Sequence, residues 1–142
     1  MMRIYEEIDA KGHPLISATH KTTFEITKEP HLTPTGDCII GVAANKAVSD
    51  LSSEFQSSLA HDDAILKTTL ICEEYEIVVT AQGSSQMSFT HATDLVWRRS
   101  RFVCERTIAI QSDMTAVLLP RDFIFALKQG AGLSVCLEVI QQ

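Results

Sequence analysis

The strongest chemical signal in this chain is a run of arginines. Arg98, Arg99 and Arg101 follow directly behind Trp97, and Arg106 lies a few residues further on. It is the one basic cluster in an otherwise acidic sequence. Guanidinium groups beside an aromatic ring suit a phosphate or a stacked base, and their forked geometry also suits a carboxylate. The competing reading is that these arginines pair internally with Asp94, Glu105 or the acidic stretch Glu73–Glu76. Lys21 and Thr23 join the anion site if the strand that carries them meets the strand ahead of the arginines.

The second signal is a repeated histidine. Ser17-Ala18-Thr19-His20-Lys21-Thr22 returns as Ser88-Phe89-Thr90-His91-Ala92-Thr93. Two imidazoles at equivalent positions could share a ligand, and an enzyme built on them would use His20 and His91 with Glu25 or Asp94 as carboxylate partner. That reading requires the two rings within about 10 Å of each other. Two nitrogens do not complete a zinc site, and no H-E-x-x-H spacing is present. The plainer reading places each histidine on an apolar strand face, bonded to a nearby threonine or a backbone carbonyl. No metal and no cofactor is expected. Gly83-Ser84-Ser85 has no helix start behind it, so it reads as a hairpin turn rather than a phosphate cradle.

These residues need strands to hold them. Over residues 16–27, Ala18, His20, Thr22, Phe24 and Ile26 alternate with Thr19, Lys21, Thr23, Glu25 and Thr27. Period two predicts a half-buried strand whose second face is solvated or forms a polar ligand floor. Residues 1–14 read as a short lead-in closed by Gly12-His13-Pro14. Cys38–Ala44 is apolar enough for a more fully buried strand. Val48, Leu51, Phe55 and Leu59 share a helical face within Asn45–Leu59, with Asp50 or Ser52 as cap. A third strand covers Ala64–Cys72. Ile77–Ala81 is a further strand, turned by Gly83-Ser84-Ser85 into Met87–Trp97 as a mid-chain hairpin.

The second half then replays the first. Ile40, Val42, Leu51, Phe55 and Leu59 are answered by Ile108, Ile110, Leu119, Phe123 and Leu127, and Glu54 by Asp122. The expected organisation is one domain over 1–142, with pseudo-repeats 16–72 and 87–140 joined by the strand 77–81. The expected fold is mainly β with one or two short helices. Internally duplicated strand-strand-helix-strand units would supply each other's missing layer in a β-barrel or β-sandwich. Pro120 suits the first turn of the second helix, and Gly130 and Gly132 its exit. That helix-turn-strand segment is similar to those of swapped-hairpin and double-psi barrel proteins.

Composition excludes several classes. With 142 residues the chain can bury a sizeable core unaided, and 45% apolar with 21% charged residues is ordinary for a soluble protein. A formal net charge of −6 argues against general nucleic-acid binding. No signal-like or spanning apolar run is present, so neither secretion nor membrane insertion is expected. Cys38, Cys72, Cys104 and Cys136 form no C-x-x-C, which predicts free thiols in a reducing cytoplasm. Self-association through a strand edge, giving a homo-oligomer, is a third role beside ligand binding and catalysis.

Residues Ile16 to Thr27, Leu32 to Val42, Arg98-Arg99-Ser100 and Arg106-Thr107 resemble the archaeal domain-of-unknown-function family 371. The resemblance runs over nearly the whole length. It implies a mainly-β archaeal cytosolic protein of sandwich or jelly-roll type, and no activity, cofactor or catalytic residue. The family pattern is acidic just ahead of Arg121, where this chain has Leu118-Leu119-Pro120. A non-catalytic module that binds a small anionic ligand or nucleotide is the functional expectation, with enzyme and protein-interaction roles as alternatives.

Overall fold

In a computed structural model describing residues 2–141, the mid-chain hairpin closes at the acidic turn. Strands β4 (Ile65–Cys72) and β5 (Tyr75–Gln82) pair antiparallel from Ile65↔Gln82 to Cys72↔Tyr75. Glu73 bends the chain with φ of 53°. The hairpin expected at Gly83-Ser84-Ser85 does not form. There the chain leaves its sheet and crosses to the other one, and β5 pairs with β4 instead of with the strand that follows it.

The described residues form two four-stranded sheets around one hydrophobic core. The first sheet has the order β1-β8-β4-β5, with β1 at Met2–Lys11 and β8 at Gly132–Gln141. The second has the order β3-β2-β6-β7, with β2 at Thr23–Thr27, β3 at Ile39–Gly41, β6 at Asp94–Arg98 and β7 at Thr107–Ala109. Single bridges, Lys11↔Val42 and Gln82↔Ile110, touch the sheets together at their corners. Neither bridge extends into a ladder, so no closed barrel forms among the described residues, and the barrel expectation is corrected.

β1 is the largest departure from the sequence reading. The expected lead-in is a ten-residue strand paired along its whole length with β8. Only Ile8 and Ala10 of it are buried, and Arg3, Glu7, Asp9 and Lys11 are exposed. Charge on an edge strand blocks further pairing but also hides the period-two signal.

The expected strand over 16–27 is shorter too. Ala18 takes φ of 50°, which ends an extended run, and only Thr23–Thr27 remain as strand. The stretch before β6 behaves alike, with φ of 54° at Phe89. β3 is likewise trimmed to Ile39–Gly41 because Ala43, at φ of 52°, turns the chain away.

Each helical segment begins as a 3-10 turn, at Val48–Asp50 and at Ala116–Leu118, before helix α1 (Ser53–Leu59) or α2 (Arg121–Lys128). Ser52 caps α1 by accepting from the Phe55 amide at 3.1 Å. Asp50 accepts instead from the Ala47 amide and closes the 3-10 turn. Pro120 stands at the cap of α2, one residue ahead of the first turn where it was expected. Phe55, Leu59, Phe123 and Leu127 enter the core from these helices.

Trp97 ties the sheets together. Its ring stacks on Phe24 with centroids 4.6 Å apart. Its indole N–H donates to the Thr68 hydroxyl of the opposite sheet at 2.9 Å. Fully buried, it lies on the core side and takes no part in the arginine cluster that follows it in sequence.

Candidate functional site

β2 and β6 run antiparallel through the centre of their sheet, with Thr23 opposite Arg98, Glu25 opposite Val96 and Thr27 opposite Asp94. Alternation sends Phe24, Ile26, Leu95 and Trp97 into the core and leaves Thr23, Glu25, Thr27, Asp94 and Arg98 on the other face. The sequence leaves that face either solvated or a polar ligand floor. Thr23, Glu25 and Thr27 are all buried, and Glu25 is only 5% exposed. The segments leading into β3 and β7 fold alongside, where Cys38 and Arg106 accept the Glu25 and Val96 amides through their carbonyls.

At the centre one guanidinium serves two carboxylates. Nη1 of Arg106 lies 3.2 Å from Oε1 of Glu25 and 3.1 Å from Oδ2 of Asp94. The two acids are not equally supplied with donors. Asp94 Oδ1 accepts from the hydroxyls of Thr27 at 2.8 Å and Thr93 at 3.0 Å. Among the described residues Glu25 has, besides Arg106, only the Cys38 thiol at 3.9 Å. Burial and then the neighbouring Asp94 charge push the Glu25 carboxyl up to about 7, against the pull of Arg106 and Arg98. Burial and then the Glu25 charge push the Cys38 thiol up to about 11.

Arg98 folds over the same face toward β7. Its Nε donates to the Thr107 hydroxyl at 2.9 Å and its Nη2 to the Cys104 sulfur at 3.2 Å. The exposed Phe102 ring lies 4.9 Å from the guanidinium carbon. Burial opposes ionisation of Cys104. The Arg106 amide, the Thr107 hydroxyl and Arg98 together outweigh it and lower the thiol below its ordinary value. Cys104 should therefore alkylate with iodoacetamide before Cys38 and Cys72, at pH 7.5 and as followed by peptide mass spectrometry. Equal labelling of the three would count against the Arg98–Cys104 contact.

The antiparallel ladder does not bring the two histidines together. His20 accepts the Thr22 and Thr23 amides on Nδ1 at 3.2 Å each. His91 accepts the Asp94 amide on Nδ1 at 3.0 Å. Thr23 and Asp94 stand at opposite ends of the β2–β6 ladder, about 13 Å apart along the strand direction. Each imidazole thus shapes the turn into its own strand, with the proton on Nε2. Both are partly exposed at these corners rather than on the apolar face.

Of the residues the sequence singles out, Glu25, Asp94 and Arg106 meet directly, and Arg98 and Thr23 share their face. Lys21 and Arg99 are exposed at the rim, where the Arg99 amide donates to the Thr22 carbonyl. Cys38, Cys104 and Thr107 line the site without any spacing signal that would have named them. Arg121 works elsewhere: its guanidinium donates to the carbonyls of Ala116 at 2.7 Å, Leu119 at 2.9 Å and Ala18 at 3.1 Å, clamping the first half's bend to the second half's 3-10 turn.

None of the candidate residues lines the pocket formed by Asp9, Ala10, Lys11, Ala43 and Asn45. Among the described residues no group of three or more His, Cys, Asp or Glu is placed to hold a metal ion. No helix among them is long and apolar enough to cross a membrane.

The family model described as a domain of unknown function, DUF371, matches residues 8–140. An uncharacterized protein of the archaeon Methanocaldococcus jannaschii is 41% identical over 126 residues, covering 89% of this chain and 93% of that protein.

Proposed function

The chain belongs to the DUF371 family, and we propose that within it this protein is a non-catalytic module binding a small anionic ligand. The carrying observation is Arg106: two carboxylates hold it from one side through Nη1 alone, while its side chain remains 40% exposed. A guanidinium anchored in this way is pre-organised to present its remaining N–H groups to a carboxylate or phosphate. Arg98 adds a second positive charge, and Arg99 and Lys21 raise the potential at the rim. Trp97 drops out of the site, and the exposed Phe102 ring is the aromatic surface that a nucleotide base would meet.

A thermal-shift screen tests this reading. Sulfate, mononucleotides or dicarboxylates at a hundred times their dissociation constant should stabilise the wild type by about 2.7 kcal/mol, a rise of several degrees in Tm. Arg106→Lys keeps the charge for Glu25 and Asp94 but loses the fork, and should abolish most of the rise. If no ligand class shifts the wild type, anion binding is wrong.

The unequal supply of donors to Glu25 and Asp94 favours one second reading, acid–base catalysis by this pair. Under it, any turnover found for the wild type disappears in Glu25→Gln.

We also propose that the chain is one internally duplicated domain over 1–142, with pseudo-repeats 16–72 and 87–140 around the 77–81 strand. Several paired features support this. Left-handed backbone recurs at Ala18 and Phe89 and at Ala43 and Gln111, and both histidines cap the turn into their strand. Each pseudo-repeat contributes an inner and an edge strand to the second sheet and an inner strand to the first, whose edges, β1 and β5, lie outside the repeats.

A further inference from the structure

We propose that anion capture by Arg106 is proton-coupled through Glu25, which takes up a proton as the anion docks, so that affinity rises as pH falls. The inference rests on the anion-binding reading above and concerns the regulation of that same site.

The geometry assigns the roles. Two carboxylates converge on a single nitrogen, Nη1 of Arg106, with Oε1 of Glu25 at 3.2 Å and Oδ2 of Asp94 at 3.1 Å. Two carboxylates that close repel each other when both are ionised, which favours a proton on one of them. The hydrogen bonds decide which acid holds it. The hydroxyls of Thr27 and Thr93 donate to Asp94 and support its charge. Glu25, buried beside a weakly donating thiol, is the member that protonates, in keeping with a carboxyl pushed up to about 7.

Every charged neighbour enters the balance. Glu25 faces Asp94 and Arg98 on β6, Arg106 on the segment before β7, and Cys38 on the segment before β3, with Asp37 beside that thiol. Asp94 faces Arg106 and, at 3.9 Å, the His91 ring. The Cys104 thiol lies near both arginines. With Glu25 ionised, its charge and that of Asp94 together offset those of Arg98 and Arg106, and the site is near neutral. With Glu25 protonated, one positive charge is released toward solvent. An incoming anion competes with Glu25 for Arg106 and repels its ionised form, so it binds the protonated site more tightly. By linkage, the bound anion raises the proton affinity of Glu25 in the same measure.

Sulfate is the probe, because its own charge does not change between pH 6 and pH 8.5. Calorimetric titration of the full chain should give a dissociation constant about fivefold to tenfold lower at pH 6 than at pH 8.5. Carbon-13 NMR of labelled glutamate should show the Glu25 carboxyl midpoint moving up when sulfate is added. Glu25→Gln should bind sulfate with the tight, low-pH affinity at both values. Sulfate that binds the wild type equally at both pH values, with the Glu25 midpoint unmoved, overturns the coupling and leaves anion binding standing. Sulfate that binds at neither pH overturns both.

Discussion

Arg106→Ala should lower stability by about 3 kcal/mol at pH 8, and adding Glu25→Gln should recover much of that loss. The single substitution removes the cation that Glu25 and Asp94 share and leaves two carboxylates facing each other, one of them buried. The loss should shrink at pH 5.5, where Glu25 is protonated in the folded state and only Asp94 misses its partner. The wild type carries the same signature. The Glu25 carboxyl titrates at about 7 when folded and at the ordinary 4.5 when unfolded. Between those values the folded state holds the extra proton. The stability it contributes is fully present below pH 4.5 and is lost as pH rises through 7. The size is roughly 3 kcal/mol for this one group. Glu25→Gln alone should therefore be more stable than the wild type at pH 8 and show a flatter pH profile. Urea unfolding of the four proteins at both pH values measures all of this. A loss in Arg106→Ala that is equal at pH 5.5 and pH 8 would falsify the assignment of the proton to Glu25.

Gly83→Ala and Gly12→Ala should each cost about 3 kcal/mol, at the upper end of overpacking effects. A methyl on Gly83 runs into the carbonyl oxygen of Leu59, the last residue of α1. A methyl on Gly12 runs into the carbonyl oxygen of Leu127 in the last turn of α2. Neither glycine can slide away. The Gly83 amide is bonded to the Ala64 carbonyl at 2.9 Å, and the Gly12 amide to the Ala131 carbonyl at 2.8 Å. Gly132 is the control: no atom of the described residues would crowd an added methyl, so Gly132→Ala should change stability by less than about 0.5 kcal/mol. Thermal and urea denaturation of the three variants checks the order. Gly83→Ala unfolding within 1 kcal/mol of the wild type, a threshold about a third of the expected cost, would show that the helix end can yield. Markedly unequal losses at Gly12 and Gly83 would weaken the proposed duplication, under which the two close approaches stand at corresponding places just ahead of the pseudo-repeats.

Much of the fold was legible because burial imposes a period. Leu66, Leu70 and Cys72 alternate with Lys67 and Ile71, and Phe55 and Leu59 recur at helical spacing, so β4 and α1 announce themselves. β1 did not, because its neighbour β8 covers one edge only and its outward residues are charged on a strand that buries little. The histidine stretches misled for the opposite reason. Their alternation continues through Ala18 and Phe89 although the backbone there turns left-handed, and residue type alone does not report φ.

The candidate site divides along the same line. Residue identities and spacing determined the mainly-β class, the helical inserts, the family and the list of side chains with chemistry to offer. Which of those side chains meet was decided only by the pairing of strands far apart in sequence. The β2–β6 register sets Glu25 within reach of Asp94 and Arg106, turns Trp97 into the core, and holds His20 and His91 at opposite ends of one ladder. A strand's own pattern specifies which face is buried. Its partner and register come from the free energy of the assembled sheets, which no local window contains. The arginine cluster that the sequence offers as an anion site becomes, once folded, one guanidinium held between two acids and another turned toward a thiol.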